Sequence, residues 1–226
     1  RFRVYLIEKT SRAIASKTAD ILNLDEDRQE ILEYGALNFL QTLLSVVLII
    51  LFGILANSLL QILVLSLTAA LLRQYSGGVH ATSPYRCAAL SVMIFGGLSL
   101  FVKHVLAFSS WIPVLLFQIL TLSCVLILLY KYAPVDSPNK RITNPDTRRR
   151  LKKASITFVL VFELITAVLW GVHFKYGSSA AFKSIICIQT GMLWQALSIT
   201  AVLRSVIGWM DSLLIKLKFW KGGVQA

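Results

Sequence analysis

Six long runs of apolar residues, separated by polar segments, dominate the chain. They cover approximately residues 34–55, 59–72, 87–102, 111–130, 154–172 and 180–203. A helix needs about 20 mainly apolar residues to cross the hydrocarbon core of a bilayer. The second and third runs are short, and we expect them to recruit flanking polar residues, to thin the bilayer locally or to lie deeper in the helix bundle. The pattern predicts an all-α integral membrane protein with six transmembrane helices.

Residues 1–33 have a different pattern, in which single apolar residues recur among Lys, Arg, Ser and Thr. Their spacing is roughly helical: Phe2, Leu6, Ile7, Ile14, Ile21, Leu22 and Leu24. This pattern predicts an N-terminal amphipathic helix that lies in the membrane interface. We therefore divide the chain into an interfacial segment (1–33), a six-span membrane domain (34–204) and a basic C-terminal tail (205–226).

The composition excludes a soluble enzyme. Of the 226 residues, 56% are hydrophobic and 15% are charged, whereas a soluble domain carries about 25% charged residues. The net charge of +12 comes from 23 Lys and Arg residues, and 20 of these lie in segments on one predicted side of the membrane. The positive-inside rule places that side, with both termini and the loops 73–87 and 131–153, in the cytoplasm. The charge thus indicates anionic inner-leaflet lipid as a partner, and nucleic acid is not expected.

The connection 73–87 holds the residues that are most typical of chemistry. His80 and Cys87 would lie about 10 Å apart along one continuous helix, but Gly77 and Gly78 permit an unusual turn and Pro84 interrupts a helix. The chain is therefore free to fold back and bring imidazole to thiol. The alternative, that a lone His and Cys in a membrane loop are structural, remains open on spacing alone.

A nucleophilic cysteine is the functional interpretation of this connection. Ser83 followed by proline is typical of a helix start, which would place Cys87 in the first turn of the third span. A helix N-terminus and a neighbouring imidazole both favour the thiolate. His80 would act as general base, and Arg73 or the backbone N–H groups of Gly77 and Gly78 would stabilise an oxyanion.

Two separate motifs carry a resemblance to a known family. The segment RQYSGGVHATSPYRC (73–87) and the later segment APVDSPNKRI (133–142) resemble the core of the accessory gene regulator B (AgrB) family of membrane cysteine peptidases. Chain length, six spans and the amphipathic N-terminal segment are similar as well. The resemblance therefore covers nearly the whole chain.

The resemblance implies a function and assigns the site. Cys87 is then the nucleophile and His80 the general base, while Arg73 and Gly78 match positions important to the family's site. The substrate would be an AgrD-type propeptide, which is cleaved through a Cys87 thioester and cyclised to a thiolactone or lactone signal for quorum sensing. The resemblance also implies a homodimer in the bacterial cytoplasmic membrane. No metal or cofactor is expected.

Other polar residues are candidates for secondary roles. Asp136, Ser83 and Glu163 are candidates for orienting a catalytic group or binding substrate, although an aspartate in an Asp-Ser-Pro context such as that of Asp136 is more often a turn former. Basic residues of the second loop satisfy topology and anionic lipid first and would also dock an acidic part of the propeptide: Lys140, Arg141, Arg148, Arg149, Arg150, Lys152 and Lys153.

Two alternatives to a peptidase remain open. Glu163 within the fifth span, where a carboxylate is costly, is compatible with a six-span transporter or exporter of a peptide or small solute. Such a transporter would tolerate replacement of Cys87, whereas a peptidase would lose processing. A noncatalytic scaffold would tolerate replacement of both Cys87 and His80.

Overall fold

The computed structural model describes residues 6–78, 83–104, 110–136 and 142–216. These residues form eight α-helices, and their β-structure is limited to one isolated bridge. The predicted all-α fold is confirmed over this part of the chain. The helices are α1 (Leu6–Leu22), α2 (Glu26–Leu55), α3 (Leu59–Ser76), α4 (Pro84–His104), α5 (Trp111–Tyr132), α6 (Pro145–Tyr176), α7 (Ser179–Ser198) and α8 (Ala201–Lys216).

The N-terminal helix α1 is amphipathic, as predicted. It packs along α2, and an ion pair between Arg12 and Glu33 at 2.8 Å joins the two helices. The face turned toward α2 consists of small residues four positions apart, namely Ser11, Ala15 and Ala19. The exposed side carries larger apolar residues, which suits a helix in the membrane interface: Leu6, Ile14 and Ile21.

Five helices, α2 to α6, are long and apolar enough to cross a membrane. The sixth predicted span corresponds to α7 and the start of α8, which pass the same test together but meet at a bend of 88°. Thr200 lies at the bend, where its hydroxyl donates to the Leu197 carbonyl at 2.7 Å and accepts from the Leu203 N–H at 3.4 Å. With the bent pair counted as one span, the number agrees with the six predicted. The protein is a multi-pass membrane protein.

Two of the helices begin well before their apolar runs. Helix α2 has 30 residues and α6 has 32, which corresponds to about 45 and 48 Å, whereas the hydrocarbon core is about 30 Å thick. Asp25 accepts a hydrogen bond from the Arg28 N–H at 2.9 Å and caps α2, and Asn144 caps α6 in the same way. Each helix therefore continues as one rod from the polar region into the bilayer.

Helix α7 is the most buried element and lies among α3, α4, α5 and α6. Gly191 permits its closest approach, because a Cβ there would lie 2.6 Å from the Leu65 carbonyl oxygen of α3. The apolar core around α7 includes Leu72, Val125, Val159, Ile185, Ile186 and Met192. Small residues at helix contacts and close backbone approach are typical of packing in membranes.

Candidate active site

Gly77, at the end of α3, has a backbone conformation that is open only to glycine. Its φ is +75° and its ψ is −167°, a region that other residues essentially do not enter. Its N–H still donates to the Arg73 carbonyl at 2.9 Å and closes the last turn of α3. A Cβ on Gly77 would collide with the Val135 carbonyl oxygen. Glycine here lets the chain after α3 touch the chain after α5.

The two motifs recognised in the sequence meet at this point. Gly77 and Val135 form a parallel bridge, and the Val135 N–H donates to the Ser76 carbonyl at 3.0 Å. Gln195 of α7 also contacts this point, because its Nε2 donates to the Ser76 hydroxyl and to the Gly77 carbonyl, each at 2.9 Å. The end of α3, the segment 133–136 and the end of α7 therefore form one unit.

Arg73 connects the glycine turn to the cysteine. Its guanidinium packs against Gly78, where an added Cβ would lie 3.3 Å from Arg73 Cζ, and the same side chain interacts electrostatically with Cys87. A guanidinium in this position is suited to stabilising an oxyanion. The structure thus brings together three predicted site residues: Arg73, Gly78 and Cys87.

Cys87 lies in the first turn of α4, as predicted. Its N–H donates to the Ser83 carbonyl at 2.9 Å, and its free thiol is half-buried. Ser83 is 2% exposed, and its hydroxyl has no hydrogen-bond partner among the residues described. His80 belongs to residues 79–82, which lie outside the described part of the chain.

Asp136 is held by the start of α6. Its carboxylate accepts from Arg148 Nη2 at 2.9 and 2.7 Å, and Arg148 Nη1 also donates to the Pro134 carbonyl at 3.4 Å. The two paired side chains remain 39% and 47% exposed. This pair ties the segment 133–136 to α6.

The other predicted basic residues have different surroundings. Arg150 lines a cavity next to the glycine turn, and Lys152 lies over the Tyr130 ring, 4.4 Å from its centroid. Arg149 and Lys153 are exposed, while Lys140 and Arg141 fall outside the described residues.

The cavity has a volume of about 560 Å³, within the range of about 300–1,000 Å³ that is usual for ligand pockets. Its walls are the end of α3, Pro134 and Val135, and the first turns of α6. Four predicted site residues line it: Arg73, Gly77, Gly78 and Arg150. The guanidinium groups of Arg73 and Arg150 suit the carbonyl and carboxylate oxygens of a peptide.

Glu163 lies apart from these residues. It is 18 residues beyond Pro145 in α6, a distance of about 27 Å along the helix. Gln118 Nε2 of α5 donates to Glu163 Oε2 at 2.6 Å, and Gln189 Nε2 of α7 donates to Glu163 Oε1 at 3.0 Å. The Trp170 indole N–H donates to the side-chain oxygen Oε1 of Gln118 at 2.8 Å. The glutamate therefore joins three helices within the bilayer.

No group of three or more His, Cys, Asp or Glu side chains that would hold a metal ion occurs within residues 6–78, 83–104, 110–136 and 142–216.

Comparison with known proteins identifies the family. The model of the family "Accessory gene regulator B" matches residues 7–199. The chain belongs to the AgrB family. A protein named AgrB-like from Clostridium perfringens strain SM101 is 30% identical over 218 residues, which cover 94% of this chain and all of the relative. An AgrB-like protein from Listeria monocytogenes serotype 4a is 27% identical over 197 residues, or 87% of this chain and 88% of the relative. No solved structure is significantly similar to the chain.

Membership of the AgrB family supports a role in processing a quorum-sensing propeptide. The matched residues include both motifs that meet at the glycine turn.

Sequence reasoning missed two further contributors to this end of the molecule. Gln195 holds the Gly77 carbonyl, and a buried ion pair joins Arg86 of α4 to Asp211 of α8 at 2.7 Å. A signal existed in both cases, because an isolated polar residue within an apolar run usually has a buried partner. The pattern does not indicate which partner it has.

Proposed function

We propose that this AgrB-family protein is a membrane cysteine endopeptidase that cleaves an AgrD-type propeptide and promotes cyclisation of its product. The observation that carries this proposal is the arrangement of Cys87, Arg73 and Gly78 at one end of the helix bundle. A half-buried thiol in the first turn of a helix, with a guanidinium nearby, is suited to nucleophilic attack.

The first step forms an acyl-enzyme. Cys87 Sγ attacks the carbonyl carbon of the scissile peptide bond, and His80 takes the thiol proton. Arg73, or a backbone N–H at Gly78, stabilises the negative oxygen of the tetrahedral intermediate. His80 then returns the proton to the leaving amine as the C–N bond breaks, which leaves the peptide joined to Cys87 as a thioester.

The second step closes the ring. An internal Cys or Ser side chain of the bound peptide attacks the thioester carbonyl while His80 takes its thiol or hydroxyl proton, the bond to Cys87 Sγ breaks, and His80 passes that proton to the Cys87 thiolate. Exchange of one thioester for another is nearly isoenergetic, and so the outcome depends on holding the peptide and excluding water. The Ser83 hydroxyl is a candidate to orient the catalytic groups.

The cavity beside Gly77 is the proposed binding site for the propeptide segment next to the cleaved bond. Arg150, which lines this cavity, would pair with an acidic group of the substrate. The exposed residues Arg149 and Lys153, together with Lys140 and Arg141, would extend the positive surface. We place this end of the bundle, and both termini, on the cytoplasmic side because most Lys and Arg residues flank it.

A cleavage assay with two cysteine variants tests the proposal. Wild-type protein, Cys87→Ala and the control Cys124→Ala are purified into nanodiscs and incubated with an AgrD-type propeptide. Cys124 is a suitable control because it is also a free, half-buried thiol but lies within α5. His80→Ala is assayed in the same way. The masses of the peptide and of the protein are followed with time.

We expect cleavage, and a protein-bound thioester, in the wild type and in Cys124→Ala. Both should be absent in Cys87→Ala, and His80→Ala should cleave far more slowly. Cleavage by Cys87→Ala would contradict the proposal. Intact propeptide with folded wild-type protein, repeated with a second propeptide, would favour transport instead.

A further inference from the structure

The first turn of α4 carries a buried ion pair that the proposed chemistry does not use. Arg86 Nε donates to Asp211 Oδ1 at 2.7 Å, and the two side chains are 3% and 8% exposed. The partners are 125 residues apart in the chain. Arg86 directly precedes Cys87, and so this contact acts one residue from the proposed nucleophile.

Helix α8 is attached to the bundle chiefly at this point. Asp211 is its one buried residue, and the helix packs on α4 and α7 after the bend of 88°. An apolar stripe lies on its other side, roughly half a turn from the carboxylate, and consists of Val202, Val206 and Trp209, which are 76%, 42% and 63% exposed. Helix α8 therefore presents an apolar stripe outward and a carboxylate inward.

Stability alone is a poor reason for such a pair. Removing two charges from water costs free energy, and a buried ion pair is often no more stabilising than a well-packed apolar pair. The pair instead constrains orientation, because the Arg86 side chain must remain next to the Asp211 carboxylate. The ion pair thereby fixes the rotation of the first turn of α4 about the helix axis.

A second contact holds the same turn from another side. The Tyr85 hydroxyl accepts a hydrogen bond from the Ile7 N–H of α1 at 3.3 Å, and the Cys87 N–H is bonded to the Ser83 carbonyl. Tyr85 therefore contacts α1, Arg86 contacts α8, and Cys87 is bonded to the residue that precedes α4. The ion pair is the most buried of these three contacts.

We propose that Asp211 is a positioning residue for Cys87: by holding Arg86 it fixes the direction in which the thiol points relative to Arg73. The effect of Asp211 on catalysis rests on the proposed peptidase function. The effect of Asp211 on the reactivity of the Cys87 thiol is independent of that function, because the orientation of the thiol alters its reaction with any small electrophile.

Three variants and one control test this role. Asp211→Asn keeps the shape of the side chain and removes its charge, and Arg86→Lys keeps the positive charge without the guanidinium geometry. The double variant Arg86→Asp/Asp211→Arg reverses the pair. The control is Ser212→Ala, since Ser212 is the exposed neighbour of Asp211 and its hydroxyl bonds only within α8, to the Gly208 carbonyl at 2.9 Å.

Two measurements are made on equal amounts of monodisperse protein in nanodiscs. The first is the rate of alkylation of Cys87 by iodoacetamide across a pH series, located by mass spectrometry. The second is kcat and KM for propeptide cleavage. For Asp211→Asn and Arg86→Lys we expect an altered alkylation rate and pH profile, and a kcat that is lower by about 10²-fold, the loss that a misplacement of about 1 Å can cause, with KM changed by less than about twofold.

Ser212→Ala should match the wild type in both measurements, and the reversed pair should recover part of the lost kcat. Alkylation profiles of Asp211→Asn and Arg86→Lys that equal the wild-type profile would overturn the proposal. If one single variant fails to fold, the other decides. A wild type that is alkylated at Cys87 but cleaves no propeptide would refute the proposed function, and the alkylation comparison would still decide the role of Asp211.

Discussion

Replacing Gly77 by alanine should break the contact between the two motifs. The change forces an L-residue into a backbone conformation with φ +75° and ψ −167° and drives its Cβ into the Val135 carbonyl oxygen. Either the turn after α3 changes its conformation or the segment 133–136 moves away. Both responses weaken the hydrogen bond from the Val135 N–H to the Ser76 carbonyl, which is 3.0 Å long.

The size of the effect follows from these two contributions. A non-glycine residue in this backbone region costs about 1–3 kcal/mol, and the loss of one hydrogen bond costs about 1 kcal/mol. The total is about 2–4 kcal/mol. For a chain of this size a change of 1 kcal/mol shifts Tm by about 2–4 °C, and so we expect Tm to fall by about 5–15 °C.

The measurement is thermal unfolding in one detergent, combined with the propeptide cleavage assay. The control is Gly97→Ala in α4, because an added Cβ there meets nothing within 4 Å. Alanine inside a helix is about 0.5–1 kcal/mol more favourable than glycine, and so this control should unfold at or slightly above the wild-type temperature. A Gly77→Ala protein with wild-type Tm and wild-type cleavage would refute the reasoning.

Three further substitutions probe the site, its support and the distant glutamate. Gly78→Ala places a Cβ 3.3 Å from Arg73 Cζ and an L-residue at φ +156°, so the guanidinium must shift and the backbone is strained; we expect cleavage to fall about tenfold and the unfolding free energy to fall by about 1–3 kcal/mol, visible as a lower Tm. Gln195→Leu leaves the Gly77 carbonyl without its side-chain donor, and the unfolding free energy should fall by about 1–3 kcal/mol, visible as a lower Tm. Glu163→Gln should keep cleavage within about twofold because the group lies about 27 Å along α6 from the helix start; a loss of cleavage at unchanged Tm would contradict this.

The helices and their order could be predicted because they depend on local pattern. Runs of apolar residues long enough to cross a bilayer have few alternatives to a helix, since backbone polar groups must be paired within the span. The first turn of α4 was predictable for a similar reason, because Ser83 and Pro84 are typical of a helix start. The helix beginnings of α2 and α6 were less clear, since a helix continues past its apolar run wherever a polar cap such as Asp25 or Asn144 satisfies its first N–H groups.

The break between α7 and α8 could not be read from composition. The predicted run 180–203 contains no proline near Ser198, and the apolar residues continue into α8. The structural signal is Thr200, whose hydroxyl bonds on both sides of the bend. A threonine inside an apolar run is also common in a straight transmembrane helix, and so its position alone does not decide between the two.

The candidate site depends on parts of the chain that neither motif contains. Gln195 holds the turn that follows α3, and Asp211 holds the residue before Cys87, yet both belong to the last two helices. The Gly77 carbonyl and the Arg86 side chain therefore depend on partners in α7 and α8. A chain that lacked these two helices would retain Arg73, His80 and Cys87 but would leave Arg86 without the Asp211 carboxylate and the Gly77 carbonyl without its side-chain donor. We therefore expect the motif residues to need these long-range polar contacts in order to act as the proposed site.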